Sequence, residues 1–412
     1  LGPYIQEYYN GGQQDAFHKQ AADIDQKVTL IMDLRRGLSL KIFPYTFKKS
    51  YARTPTDPAI VAGTTTWYSP ADRLPSAIDS QHRLYMQNVF SLINENVMIS
   101  DYGRVNDVVD KMIKYQGING GTSLPSSSQV WAERAYNKVP FATILSMVNL
   151  TLGFITLFFY IYRITRRGSA KPVKENVLSV MTWLPLTIML ISFLALTFCE
   201  VLRWIVSRTI PMANGYETML FVAWLVMLLS LITYRRFKIV LSFGFIMSGF
   251  FLLVSHISQM DPAIGQVMPV LNSPLLSVHV SIIMTGFALL SITFICGVVG
   301  LLTGRHGNED VPAQMQLLSR LFLYPALTAL GIGIFMGAIW ANISWGQYWG
   351  WDPKEVWALI TFMVYAIVVH RQTIPSLQRP KVYHAFVTLA FLTILMTYFG
   401  VNYFLGGMHS YA

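Results

Sequence analysis

Residues 139–162 read VPFATILSMVNLTLGFITLFFYIY, without a single Asp, Glu, Lys or Arg. A helix rises about 1.5 Å per residue, so roughly 20 such residues cross the ~30 Å hydrocarbon core of a bilayer. The stretch that follows carries Arg163, Arg166, Arg167, Lys171 and Lys174. An uncharged run closed by a basic cluster predicts a membrane helix whose next loop stays cytoplasmic.

Seven more apolar runs lie downstream, at about 177–199, 216–234, 238–257, 279–303, 320–341, 354–370 and 381–404. Their short polar connections, and the lack of alternating ten-residue segments, predict helices rather than a barrel. Basic residues recur at every second connection: Arg235, Arg236 and Lys238; Arg305; Arg371, Arg379 and Lys381. The opposite connections carry only Arg203, Arg208 and Lys354. The 258–278 and 342–353 loops, residues 1–138 and the C-terminus are therefore expected on the outward side of the membrane. The net charge of +10 is then a topology signal, and no nucleic-acid partner is expected.

Upstream of Val139 the chain changes character. Turn formers punctuate it at Gly11-Gly12, residues 54–58, Ser69-Pro70, 117–121 and 125–128. Helical spacing covers 17–36, about 77–98 and 105–115. His18 and His82 are isolated and expected at the surface. The predicted fold class is thus all-α and polytopic. About eight transmembrane helices (139–412) follow a small, mostly helical extracytoplasmic domain (1–138). Cys199 and Cys296 sit in or beside apolar runs with no C-x-x-C, which excludes a thioredoxin-like pair and self-attachment of haem. Both are expected to pack. The chain opens at Leu1 without Met, charged n-region or cleavage site, so further sequence is expected ahead of it.

One segment carries chemistry. Residues 345–357 read WGQYWGWDPKEVW, with Trp340 just before. An interfacial aromatic belt accounts for one or two tryptophans per helix end. It does not account for Asp352 and Glu355 among them, nor for Gly346 and Gly350, which let a flat partner approach the backbone. Indoles offer stacking faces and a rim N–H, and suit a large planar ligand with a charged edge, haem first. Iron would then need axial ligands, and histidine is the expected supplier. His279 opens one span just after residues 271–278, LNSPLLSV, and His409 follows the last span in residues 406–412, GGMHSYA. Both are expected level with the tryptophans. His370, thirteen residues after Trp357, falls roughly 20 Å deeper. It either closes a helix beside Arg371 or marks a second, deeper position.

The tryptophan segment resembles the WWD signature of haem-handling proteins. Residues 139–412 resemble the CcsA-type half of the System II cytochrome c synthetases, often fused as CcsBA. Three further stretches carry the resemblance: YETMLFVAW at 216–224, VYAIVVH at 364–370, and TYFGVNY at 397–403 running into HSYA at 409–412. The resemblance implies His279 and His409 as outward axial ligands of haem b. It also implies His370 as one intramembrane ligand of a haem entering from the cytoplasmic side. Where the family often has another tryptophan, this chain has Phe362. The family's second intramembrane histidine has no clear counterpart, neither His256 nor His384, and is expected on the CcsB-type part ahead of Leu1.

The implied function is cytochrome c biogenesis of the holocytochrome c synthase (haem lyase) type, in a bacterial inner membrane with the site facing the periplasm. Two cysteine thiols of an apocytochrome C-x-x-C-H motif would add to the haem vinyls. Trp345, Trp349, Trp351 and Trp357 would form the shelf, Asp352 would orient the loop or a rim group, and no dedicated acid or base is evident. Glu217 reads as a helix-start carboxylate. Expected partners are apocytochrome c, a CcsB-type region, thiol-reducing proteins and the lipid bilayer. The alternatives are a System I type haem carrier, a haem exporter without ligation chemistry, and an aromatic-lined transporter for another ligand.

Overall fold

Apolar helices dominate because a bilayer leaves a backbone no water to bond, so each span must satisfy its own N–H and C=O groups. A computed structural model of the chain describes residues 2–9, 16–53, 59–165, 175–212, 214–257, 264, 273–304 and 310–405. They fall into two compact units, Leu1–Ser126 and Ser127–Ala412.

The first unit holds α1 (Gly2–Tyr9), α2 (Ala16–Arg36), β1 (Phe43–Thr46), β2 (Thr65–Tyr68), α3 (Ser80–Met98) and α4 (Tyr102–Asn119). The three expected helices are present. Missing from the sequence reading is the antiparallel β1–β2 ribbon, paired from Phe43 with Tyr68 to Thr46 with Thr65. Each strand has four residues and β1 contains Pro44, too short and too irregular for an alternating pattern to show. Phe43, Phe47, Tyr68, Ile78, Met86, Val89 and Val108 form the core here. Neither histidine lies fully at the surface. His18 is 4% exposed, its ring edge-on to Tyr4 and its Nε2 3.6 Å from the Glu7 carboxylate. His82 is half-buried, its Nδ1 2.9 Å from the Tyr115 hydroxyl and its ring edge-on to Tyr45. Isolation in sequence hid partners brought from other elements.

The second unit begins at Ser127 and so takes in α5 (Ser127–Lys138), which hydropathy alone had assigned to the first domain. The reason is contact with α7 (Glu175–Ser207): the Gln129 amide donates to the Val206 carbonyl at 3.2 Å, and Trp131 meets Phe198 edge-on. The remaining helices are α6 (Phe141–Thr165), α8 (Gly215–Thr233), α9 (Val240–Ile257), α10 (Pro274–Thr303), α11 (Asp310–Trp345), α12 (Pro353–Ala366) and α13 (Pro380–Leu395). A 3₁₀ turn, Ile367–His370, ends α12, and a π-helical segment, Met396–Leu405, continues α13.

Among the described residues seven helices are long and apolar enough to cross a membrane, and an eighth, Val240–Ser255, is apolar but shorter. They match the eight expected runs, with one correction. The second span runs Trp183–Ser207, so Arg203 lies inside it rather than in a loop. Two apolar cores result. One joins α8 to α13 around α10, with Leu290, Cys296, Leu323 and Tyr365 buried; the other joins α6 to α9, with Met189, Cys199 and Phe245. The two cysteines are free, buried and in different cores.

Candidate functional site

α8, α10, α11, α12 and the π-helical segment surround a cavity of about 230 Å³. Ile283, Met284, Phe287, Ile334 and Ala338 give it an apolar wall, and Trp340 and Trp349 an aromatic one. Its polar groups are few: His279, Lys354, Glu355, Asn402, and Asn214 and Thr218 from the start of α8. A mostly apolar hollow with a handful of polar groups is the usual make-up of a small-molecule site.

His279 stands near the start of α10, which Pro274 opens in the first turn. Its Nδ1 lies 2.8 Å from the Gly333 carbonyl on α11. A carbonyl only accepts, so Nδ1 carries the proton and Nε2 the ring lone pair, the arrangement that orients histidines at metal centres. Room for the ring comes from Gly337, where a Cβ would lie 2.6 Å from His279 Cε1. No helix propensity argues for a glycine there; the close approach of an imidazole does.

The tryptophan segment links α11 to α12. Trp340 is 2% exposed and meets Trp345 edge-on at 4.8 Å. Trp349 meets Trp351 edge-on at 6.0 Å. Gly346 holds a left-handed φ of 78° with open space around its Cβ position, so it serves the turn rather than a close approach. Trp351 holds φ 55°, a rare conformation for a bulky residue, and its side chain is 75% exposed. Next comes the buried Asp352, whose Oδ2 accepts from the Lys354 N–H at 3.1 Å as N-cap of α12. Glu355 closes the capping box: its Oε2 accepts from the Asp352 and Gly350 N–H groups at 3.2 and 2.9 Å. The two carboxylates that stood out among the tryptophans thus fasten the loop to the helix.

The expected site residues are brought together only in part. His279 and Trp349 line the cavity, and Trp345 reaches it through Trp340. Trp351 points outward, and Trp357 sits one turn into α12, its carbonyl accepting from Thr361 and Thr397. His370 is exposed on the 3₁₀ turn at the opposite end of α12. His409 lies outside the described residues. His384 is fully buried in α13, its Nε2 2.9 Å from the Pro312 carbonyl. Phe362 packs on the core around α10.

The sequence reading passed over three contributors. Lys354 had been counted only as a loop charge, yet its Nζ donates to Asn402 Oδ1 at 2.8 Å within the cavity wall. Asn402 reaches inward from the π-helical segment, whose widened turn no periodicity announces. Glu217 is more than a helix-start carboxylate. It accepts from the buried Arg203 of α7 at 2.7 Å, while Arg203 also donates to the Tyr136 hydroxyl at 2.6 Å and lies over the Tyr216 ring. Asn214 Oδ1 caps the same helix by accepting from the Glu217 N–H at 2.9 Å. This anchor fixes the first turn of α8, and that turn brings Asn214, Gly215 and Thr218 to the cavity.

A cytochrome c assembly protein family model matches residues 212–409, which include the cavity. The chain is 34% identical over 267 residues to the cytochrome c biogenesis protein CcsA of Nymphaea alba, covering 54% of this chain and 84% of that protein. It is 31% identical over 269 residues to CcsA of Solanum lycopersicum, covering 54% and 83%. Similarity to Protein NrfI of Wolinella succinogenes is 29% over 410 residues, 97% of this chain but only 43% of that protein. The chain therefore spans less than half the length of NrfI. Among solved structures a cytochrome c haem lyase, CcmF, is similar at a TM-score of 0.47 and 19% identity, covering 66% of this chain and 46% of that one.

Proposed function

We propose a function for this chain on the premise that it belongs to the CcsA family of cytochrome c assembly proteins: it binds haem b in the cavity at His279 and promotes its thioether attachment to apocytochrome c. The observation that carries this reading is the convergence of His279, Trp340 and Trp349 on one cavity, with the histidine Nδ1 committed to Gly333. The donor set fits the iron of haem, since a neutral imidazole with a fixed tautomer is a common axial ligand. The volume also suits the task. Sites that enclose a whole drug-sized ligand run about 300–1,000 Å³. A smaller hollow suits a macrocycle held along part of its perimeter with its vinyl edge outside.

In the reaction each thiol S–H adds across a vinyl C=C; a C–S bond forms, the proton goes to the other vinyl carbon and no group leaves. The chain's residues bind and orient, and orientation alone contributes several kcal/mol to such a step. His279 and His409 hold the iron. Trp340, Trp345 and Trp349 supply the stacking wall, with Trp351 and Trp357 extending the shelf. Asp352 and Glu355 hold the loop in place. His370 is the ligand of a haem taken up from the cytoplasmic side, with its second ligand on a CcsB-type region. By the charge of the loops, the cavity faces the periplasm of a bacterial inner membrane, where thiol-reducing proteins keep the acceptor motif reduced. This makes the chain a haem lyase of the WWD-signature, System II type.

The test is an absorption spectrum of the full purified chain beside His279→Ala and His409→Ala, followed by incubation with apocytochrome c. A bis-histidine haem b spectrum weakened in both variants, with covalent haem appearing on the acceptor, is expected. Haem binding without covalent product, even with a CcsB-type partner present, would leave a carrier or exporter; no haem at all would discard the reading.

A further inference from the structure

Arg203 and Glu217 pair at 2.7 Å in a place where an ion pair is costly. The arginine is fully buried within a membrane span, and the glutamate is 4% exposed. Attraction repays the loss of water only in part, and apolar residues of similar size at such a place are often as stable or more so. Stability therefore does not account for the pair; a fixed geometry does. The guanidinium donates to Glu217 Oε1 and to the Tyr136 hydroxyl, and it lies 5.2 and 5.1 Å from the Tyr136 and Tyr216 ring centroids. Helices α5, α7 and α8 thus meet at one planar group whose fork of donors leaves few orientations open. Glu200, on α7 with Arg203, places a further carboxyl near it.

The segment that the pair holds is 212–218, one wall of the cavity. Met212, Asn214, Gly215 and Thr218 line that cavity, whereas Arg203 and Glu217 stand behind it. Asn214 Oδ1 accepts from the Glu217 N–H at 2.9 Å. Ser281, two residues after His279 on α10, donates to the Met212 sulfur at 3.1 Å. On the other side the Tyr398 hydroxyl of the π-helical segment donates to the Gly215 carbonyl at 3.4 Å. The wall is tied to the helix that carries His279 and to the segment that carries Asn402, and Arg203 pins it from behind.

We propose that Arg203 and Glu217 are positioning residues of the haem site. Without touching the ring, they set where the 212–218 wall stands relative to His279, and through it the seat of the macrocycle and the coordination of its iron. This role rests on the haem reading above and deepens it. Groups that orient a metal site from behind change its affinity by about tenfold or more when removed.

The experiment uses the full chain in detergent, titrated with haem b and followed by the Soret band, by EPR of the ferric complex and by thermal melting. Arg203→Met with Glu217→Leu replaces the pair by apolar side chains, in a Glu200→Gln background that leaves no carboxylate behind. Glu200→Gln alone is the reference. The apolar variant is expected to melt close to the reference, yet to bind haem about tenfold more weakly and to show shifted g-values. An affinity within about twofold of the reference, with unchanged g-values, would overturn the proposal. So would a melting temperature that falls together with the affinity, because the pair would then be structural only. If the apolar variant fails to accumulate, Tyr136→Phe decides, since it removes only the hydroxyl that steadies the guanidinium. It is expected to weaken haem about threefold and to shift the g-values, and no change in either would overturn the proposal. A Soret band lost in His279→Ala but identical in the apolar variant would sink this inference alone, whereas no Soret band in wild type would sink the haem reading with it.

Discussion

The two ends of α12 make opposite use of similar residues. At its start, Asp352 and Glu355 close a capping box, Lys354 and Trp349 line a cavity, and α8, α10, α11 and the π-helical segment converge there. At its end the helix tightens into a 3₁₀ turn, and His370 stands exposed beside Arg371. Each end carries a motif that stands out in the sequence, the tryptophan segment before the start and VYAIVVH at the end. At the start, other elements enclose a cavity, and an imidazole from α10 is held there, through Gly333 and Gly337, in one tautomer and one place; at the end, Val368 packs into the core while His370 stays exposed. A ligand residue becomes a site when other helices converge on it.

The comparison can be broken most severely at Gly337. An alanine there would lie 2.6 Å from the His279 ring, and overpacking of this kind costs about 1–3 kcal/mol. Gly337→Ala is expected to lower the melting temperature and to weaken haem binding at least tenfold, read from the Soret band, while a Gly337→Ala/His279→Ala pair loses little more than His279→Ala alone. Failure to couple the two would mean that the glycine does not hold the histidine.

A milder break is Asp352→Ala. It removes the N-cap and half of the capping box, worth about 1 kcal/mol. The loop should loosen, so haem affinity, read from the Soret band, is expected to fall. Asp352→Asn, which retains a cap, should recover most of the loss. Smallest of all is His370→Ala. An exposed residue of this sort alters stability by about 0.5 kcal/mol or less. The melt and the His279-dependent spectrum should both stay unchanged, and any loss of haem delivery from the cytoplasmic side would appear only in cells.

Much of this was legible in the chain. Residues 139–162 and the other apolar runs announced their spans because a bilayer demands length and apolarity, both readable without a partner. Asn214, three residues ahead of Glu217, and Asp352, three ahead of Glu355, carry cap signatures visible in the sequence. Hidden were the features that depend on distant neighbours. Arg203 read as a loop charge until Glu217 made a place for it inside α7. Ser127–Lys138 read as part of the first domain until its contacts with α7 moved it. The ribbon of Phe43–Thr46 with Thr65–Tyr68 was too short to signal itself.

Local chemistry written along the chain, apolar length, basic loops and capping pairs, was enough to specify a polytopic helical protein and to single out His279 and the tryptophan segment. Convergence was not. Which indoles line the cavity and which face away, that Lys354 meets Asn402, and that Gly337 makes room for His279 are all contacts between residues far apart in sequence. Their energies come from burial and hydrogen bonds that exist only once the helices have packed, so only the packed structure could decide them.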